Sequence, residues 1–214
     1  MPTWLKRLLH VHTRPRAYAA SAKRDFRQLD FLALDVELSS LQPDTGEILS
    51  IGYVPIIKGG IIPARGKHLL ISDHAGVGDS AEYHGIRDCD RRLGIALRDA
   101  IMQLQHAAGD KPLIFHHARL DLEFLRRAGF RCTSNPLIDT LQLERRRLMR
   151  KPFTDGAHQL RLYQCRQRYH LPERKAHNAF TDALATAELF LAQCAYMAGG
   201  GLLTLKELVR AARL

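Results

Sequence analysis

The chain has 214 residues, 46% of them hydrophobic, with a formal net charge of +10 and a pI near 9.8. That is enough length for one domain with appendages and enough apolar content for a real core, while no apolar run of about 18 residues exists to span a bilayer. Cys89, Cys132, Cys165 and Cys194 show no Cys-x-x-Cys spacing, which argues against a zinc site or a disulfide frame and for reduced thiols in the cytoplasm.

Residues 1–28 read as a basic N-terminal appendage. Trp4, Leu5, Leu8 and Leu9 form one helical stripe with Lys6 and Arg7 behind it, so a helix capping the core is expected. An organelle transit peptide or a surface-binding helix shares that composition, but His10, His12 and Arg14 after Leu8-Leu9 make no secretory signal. A domain over 29–198 follows. "FLALDVEL" (31–38) is too apolar for an exposed strand and reads as a central strand buried on both faces. Pro43-Asp44-Thr45-Gly46 is a turn. "EILSIGYVPII" (47–57) is a second strand, and Gly59-Gly60 a hairpin turn into a third, "IIPARGKHLLIS" (61–72). Leu93, Leu97, Ile101 and Leu104 give residues 88–107 a helical period. "KPLIFHH" (111–117) is another buried strand, and "LDLEFLRRAGF" (120–130) a helix stopped at Gly129. Residues 135–149 read as a short strand and then a helix, and residues 158–170 as a helix ended before Pro172. A long helix over Ala179 to Met197 closes at Gly199-Gly200-Gly201, and residues 199–214 supply a final amphipathic helix packed on the domain. Three strands followed by alternating helices and strands make an α/β fold. Its mixed sheet has about five strands, the first three antiparallel and the rest parallel, flanked by helices.

The positive charge is concentrated. Residues 1–30 hold seven Lys/Arg against two Asp/Glu, and residues 145–175 hold ten against two. Clustered Lys and Arg neutralise phosphates, so a polyanionic partner such as nucleic acid fits this balance, as does an ordinary solvated face. Arg145 and Arg146 are the candidate phosphate contacts of the second cluster.

The acids of the otherwise apolar elements are the second signal. Asp35 and Glu37 are two apart in the first strand, so their side chains share a face with Cα atoms roughly 6.6 Å apart. Burying both costs several kcal/mol unless a cation compensates, and a divalent metal with oxygen ligands is the usual compensation. Were the strand to end at Asp35, both would simply face solvent. Asp121, five residues after His116, falls outside the carboxyl end of a buried strand, where open α/β sheets place their sites. It also suits an ordinary helix start, as does Asp139 in "IDTL". In "HNAFTDA" (177–183), His177 and Asp182 would lie roughly 140° apart on one regular helix. They converge if His177 sits in the loop, Asn178 caps the helix and Asp182 stands one turn in; a loop histidine and an exposed helical aspartate with no shared task fit the same spacing.

Taken together, "FLALDVE", "IFHHARLDLEFL" and "HNAFTDALATAEL", in that order, resemble the three motifs of the DEDDh group of 3′–5′ exonucleases, which includes the proofreading epsilon subunit of bacterial DNA polymerase III, ribonuclease T and oligoribonuclease. The resemblance spans about residues 29–195, with supporting matches at "EILSIGYV", "YHGI" (Tyr83 to Ile86) and "IDTLQLERR". Where the group often has Thr-Thr-Gly after the glutamate, this chain has Leu38-Ser39-Ser40. Where it often has His-Asn and Phe-Asp, this chain has His116-His117 and Leu120-Asp121.

The resemblance implies a ribonuclease H-like fold and a site holding two Mg²⁺ or Mn²⁺ ions on Asp35, Glu37, Asp121 and Asp182, with His177 as general base. It further implies hydrolysis at the 3′ end of single-stranded nucleic acid, DNA favoured, with Leu38, Ser39, His84 and His117 among the substrate contacts. An accessory proofreading or nucleic-acid-binding subunit, whose main task is association with a polymerase or other protein through residues 1–28, is the alternative.

Overall fold

The alternation of strand β1, Asp30–Leu38, sets the architecture. Phe31 and Ala33 point into one apolar layer, and Leu32, Leu34 and Val36 into another, as period-two geometry requires of a strand covered on both faces. The computed structural model describes residues 16–72, 93–149, 160–174 and 178–212. In it, β1 pairs antiparallel with β2, Ile48–Ile57, whose far edge carries β3, Gly60–Ile61, and β4, Lys67–Leu70. On its other side β1 pairs in parallel with β5, Leu113–Phe115, and β5 with β6, Leu137–Asp139. The sheet order is β3-β2-β1-β5-β6, with β4 also on β2. The expected change from antiparallel to parallel pairing is therefore present.

Two elements differ from their sequence reading. The strand expected over 61–72 is broken by a 3₁₀ turn at Pro63–Arg65, because Pro63 has no N–H to give the ladder. The helix expected over 88–107 begins at Leu97 in the structure: α2 is Leu97–Ala108. Ahead of it Ile95 donates to Leu70 and accepts from Ser72, each at 2.9 Å. These bonds pull the segment onto the end of β4 and leave Leu93 89% exposed instead of on an apolar stripe.

Helices cover the sheet on both faces. On the side of Leu32, Leu34 and Val36 lie α2, through Ala100, Ile101 and Leu104, and α3, Ala118–Arg127, through Leu122 and Leu125. On the side of Phe31 lies α6, Ala179–Ala198, with Ala183, Ala187 and Phe190 against the strands. The Phe31 and Phe190 rings meet at 5.0 Å between centroids, tilted by 58°. Tyr18 of α1, Arg16–Ser21, and Phe26 enter the same layer beside Leu205 and Leu208 of α7, Leu205–Ala211. The carboxylate of Asp25 ties these two segments, accepting from Arg27 Nε at 2.7 Å and from the Leu203 amide at 3.2 Å. The Trp4–Leu9 stripe lies outside the described residues. Helices α4, Thr140–Leu148, and α5, Leu162–Gln167, pack beside α6.

Candidate active site

β1 continues past Asp35 to Leu38, so its acids belong to the strand and are not in free solvent. By alternation Asp35 and Glu37 extend the row of Phe31 and Ala33, on the face covered by α6. That helix begins where an N-cap was expected. Asn178 Oδ1 accepts the Thr181 N–H at 3.1 Å, and the Asn178 carbonyl accepts the Asp182 N–H at 2.8 Å. Asp182 therefore stands on the first turn, over the strand ends. Carboxylate oxygens of Asp35, Glu37 and Asp182 lie within 4.8 Å of one another.

Asp121 reaches the same region from the first turn of α3. It is 7% exposed, and its Oδ2 is buried with no hydrogen-bond partner among the described residues. The electrostatics match the crowding. Burial drives the Asp35 carboxyl well above its ordinary pKa, and Asp121, Asp182 and Glu37 add to that in turn. Burial, then Asp182, pushes Glu37 up to about 7. Burial, then Asp139 and Glu37, raises Asp121. Among the described residues no ion pair reaches Asp35, Glu37 or Asp121. Four converging carboxylates with an orphaned buried oxygen suit a hard divalent cation, which takes oxygen ligands and reverses the repulsion.

Two residues that the sequence reading did not assign to the site support it. Asp139 is 1% exposed and accepts from three amides: His117 at 3.0 Å, Ala118 at 3.1 Å and Leu141 at 2.9 Å. It caps α4 and also clamps the start of α3, one turn before Asp121. A helix-capping aspartate is legible in "IDTL", but the bond to a segment more than twenty residues away leaves no local mark. His116 is a fixed spacer. Burial lowers its pKa; its Nε2 donates to Leu160 O at 2.9 Å, and its Nδ1 lies 2.8 Å from the Thr140 hydroxyl, which donates to Phe115 O at 3.1 Å.

The exonuclease family model matches residues 32–190, a span that holds Asp35, Glu37, Asp121 and Asp182. The chain belongs to the exonuclease family.

Among curated relatives of this family member, a DNA polymerase III subunit epsilon-like protein of Rhodobacter capsulatus is 29% identical over 194 residues, covering 87% of this chain and 27% of the relative. A DNA polymerase III PolC-type protein of Oceanobacillus iheyensis is 30% identical over 135 residues, covering 61% of this chain and 9% of the relative. The chain thus spans about a quarter or less of these two relatives. The fold recurs in exonuclease X in complex with 5′-overhanging duplex DNA, with a TM-score of 0.63 at 20% identity, covering 86% of this chain and 99% of that one. It recurs also in exonuclease I, with a TM-score of 0.67 at 15% identity, covering 86% and 43%.

The remaining candidates divide four ways. His177 and His84 lie outside the described residues. Leu38 ends β1, and the Ser39 hydroxyl beside it accepts the Glu47 N–H at 2.9 Å, bracing the β1–β2 connection. His117 sits at φ 71°, a left-handed conformation held by the Asp139 contact at the head of α3. Arg145 and Arg146 are exposed on α4. Other arginines of the 145–175 stretch are committed internally: Arg147 to Glu144, and Arg166 and Arg174 to Glu188.

Proposed function

We propose that this family member is a 3′–5′ exonuclease that removes nucleoside monophosphates from single-stranded nucleic acid, with DNA favoured. The observation that carries the proposal is the convergence of Asp35, Glu37 and Asp182 within 4.8 Å, beside the orphaned Asp121 carboxylate. Asp35, Glu37 and Asp182 would hold one Mg²⁺ or Mn²⁺, and Asp35 with Asp121 a second. Bound there, the pair would supply a water of lowered pKa, neutralise the phosphate and stabilise the leaving oxygen. His177, next in sequence to the Asn178 cap of α6, takes one proton from the attacking water while Asp182 stays fixed on the helix. The water oxygen bonds to phosphorus, the bond to the 3′-oxygen breaks, and that oxygen takes a proton from solvent, to which His177 later returns its own. Leu38, Ser39, His84 and His117 line the path of the terminal nucleotide, and Arg145 and Arg146 touch the phosphates upstream.

The polymerase-derived names of relatives that are much longer than this chain favour a second reading, association with a polymerase through residues 1–28. Cytoplasmic residence accords with both; no described helix is long and apolar enough to cross a membrane. The test uses 3′-labelled and 5′-labelled oligonucleotides of both sugars with Mg²⁺, Mn²⁺ or EDTA. Release of the 3′ label as monophosphate, a ladder from the 5′ label and silence in EDTA are expected. Label release unaffected by EDTA would overturn the metal assignment, and internal cleavage the exonuclease one.

A further inference from the structure

We infer that Gly52 is a positioning residue for the metal-holding carboxylates: having no side chain, it lets the first turn of α6 rest on β2 and so carries Asp182 to Asp35 and Glu37. The inference rests on the metal reading above. The β1–β2 register sets Gly52 directly opposite Asp35 and Ser50 opposite Glu37, so each acid faces a small neighbour across the strands. The Ser50 hydroxyl is itself fully buried and has no hydrogen-bond partner among the described residues. A Cβ added to Gly52 would come closer than 3.0 Å to the carbonyl carbon and oxygen of Ala179 and to the amide nitrogen of Phe180. These are helix backbone atoms, with no rotamer into which they can retreat.

The need is for space and not for a special backbone angle, since Gly52 is not among the residues with positive φ. Ala179, Ala183 and Ala187 continue the close approach, all three fully buried. Asp182 stands within this stretch, next to Ala183. Restoring a normal carbon–carbon separation of about 3.5–4.0 Å from the Ala179 carbonyl carbon would lift the first turn by roughly 1.5–2 Å. Metal–ligand distances in a formed site keep to within about 0.2 Å of their standard values. Asp182 would therefore leave the site while the rest of the helix stayed packed.

The experiment compares the wild-type chain, Gly52→Ala and Gly60→Ala, whose added Cβ meets only the Ile57 carbonyl at 3.5 Å. Mn²⁺ binding is read from the electron spin resonance of the free ion, and Tm is measured with and without Mn²⁺. Gly52→Ala should weaken Mn²⁺ binding about 10- to 100-fold and lose the metal-dependent rise in Tm, while Gly60→Ala matches wild type. Wild-type Mn²⁺ affinity in folded Gly52→Ala overturns the inference; a wild-type chain that binds no Mn²⁺ overturns the metal reading instead. Should Gly52→Ala fail to fold, Ala183→Val and Ala187→Val test the same geometry. The first, beside Asp182, must weaken Mn²⁺ binding more than the second, one turn further on, and equal affinities overturn the inference.

Discussion

Glu144 in α4 and Asp121 in α3 are both shut away from solvent, at 0% and 7% exposure, yet their surroundings are opposite. Glu144 accepts from Arg147 at 2.5 Å, from the Tyr169 hydroxyl at 2.9 Å and from Gln193 at 3.4 Å, with Arg168 at 3.5 Å. Arg147 in turn lies over the rings of Tyr169 and Tyr196, at 5.2 and 5.4 Å. Asp121 has one oxygen with no hydrogen-bond partner among the described residues, and the charges that act on it include those of Asp139 and Glu37. A buried carboxylate costs several kcal/mol to desolvate unless it is paired. The protein meets that cost at Glu144 from its own side chains, whereas among the described residues no ion pair meets it at Asp35 and Asp121. One arrangement suits a fixed joint between helices, and the other a cation from solution.

The largest effect should separate the two directly. Asp35→Ala or Asp182→Ala should cut nuclease turnover by roughly 10³-fold or more, about 4 kcal/mol of transition-state stabilisation. Stability without metal should hold or rise, because each removal relieves like-charge repulsion. Single-turnover assays and melting in EDTA check both halves. Near-wild-type turnover in either variant would break the contrast. His177→Ala should lose about 10²–10⁴-fold, with Mn²⁺ and oligonucleotide binding retained. Wild-type rate should rise with pH as the imidazole loses its proton, and this acid limb should vanish in the variant.

Glu144→Ala should show the reverse pattern. Removing one partner leaves Arg147 uncompensated, at a cost of about 3–5 kcal/mol in stability. Turnover per folded molecule should be unchanged well below the new Tm. Denaturant unfolding beside an activity assay reads both, and a lost turnover without lost stability would place Glu144 in the chemistry.

Proton linkage sharpens the same contrast. Glu37 titrates at about 7 in the metal-free protein, above its ordinary 4.5. A raised carboxyl is protonated more readily in the folded state. Its contribution is therefore complete below pH 4.5 and lost as pH rises through about 7. Metal-free Tm should fall by several degrees over that window, at roughly 2–4 °C per kcal/mol for a chain of this size. Saturating Mn²⁺ should abolish the fall, and Glu37→Gln should flatten it. Asp25 works in the other direction. Its side-chain bond to Arg27 holds its carboxyl below the ordinary range, so its contribution is lost as pH drops below about 4.

What could be read from the sequence follows the range of the interactions. The run 31–38 and the helix from Ala179 are local patterns that appear where periodicity and turn residues place them, and the hairpin expected at Gly59-Gly60 forms one residue earlier, turning at Lys58-Gly59 with Gly60 already paired in β3. Asp35 and Glu37 were legible because two acids interrupt an apolar strand at its own period. Asp121 became legible only beside the other motifs, since an aspartate at a helix start is common. The Asp139 clamp was hidden, because its amide partners are more than twenty residues away. The bend at Leu93 was missed because hydrogen bonds to β4 overrode the helical period. Charge counting over 145–175 could not see that Glu144 and Glu188 would claim Arg147, Arg166 and Arg174.

That last point makes the smallest prediction the most discriminating for the basic stretch. Arg145 and Arg146 are exposed, while their neighbour Arg147 is spent on Glu144. A solvated arginine can follow a phosphate; one locked in an ion pair beneath two tyrosine rings cannot without breaking that joint. Each phosphate contact releases counterions, contributing a slope of roughly −0.7 per contact in log affinity against log salt for single strands. Replacing Arg145 and Arg146 with Gln should therefore raise KM several-fold at low salt, lower the salt slope by about 1.4 and leave kcat within a factor of about two. Arg147→Gln should instead lower Tm with little change in salt slope, because its charge is already neutralised inside the protein. Titration of a short oligonucleotide at four salt concentrations distinguishes the two. If Arg147→Gln flattened the slope and the exposed pair did not, the division between internal and outward-facing arginines drawn from the Glu144 joint would be wrong, and the phosphate path would have to run over α4 on its tyrosine side.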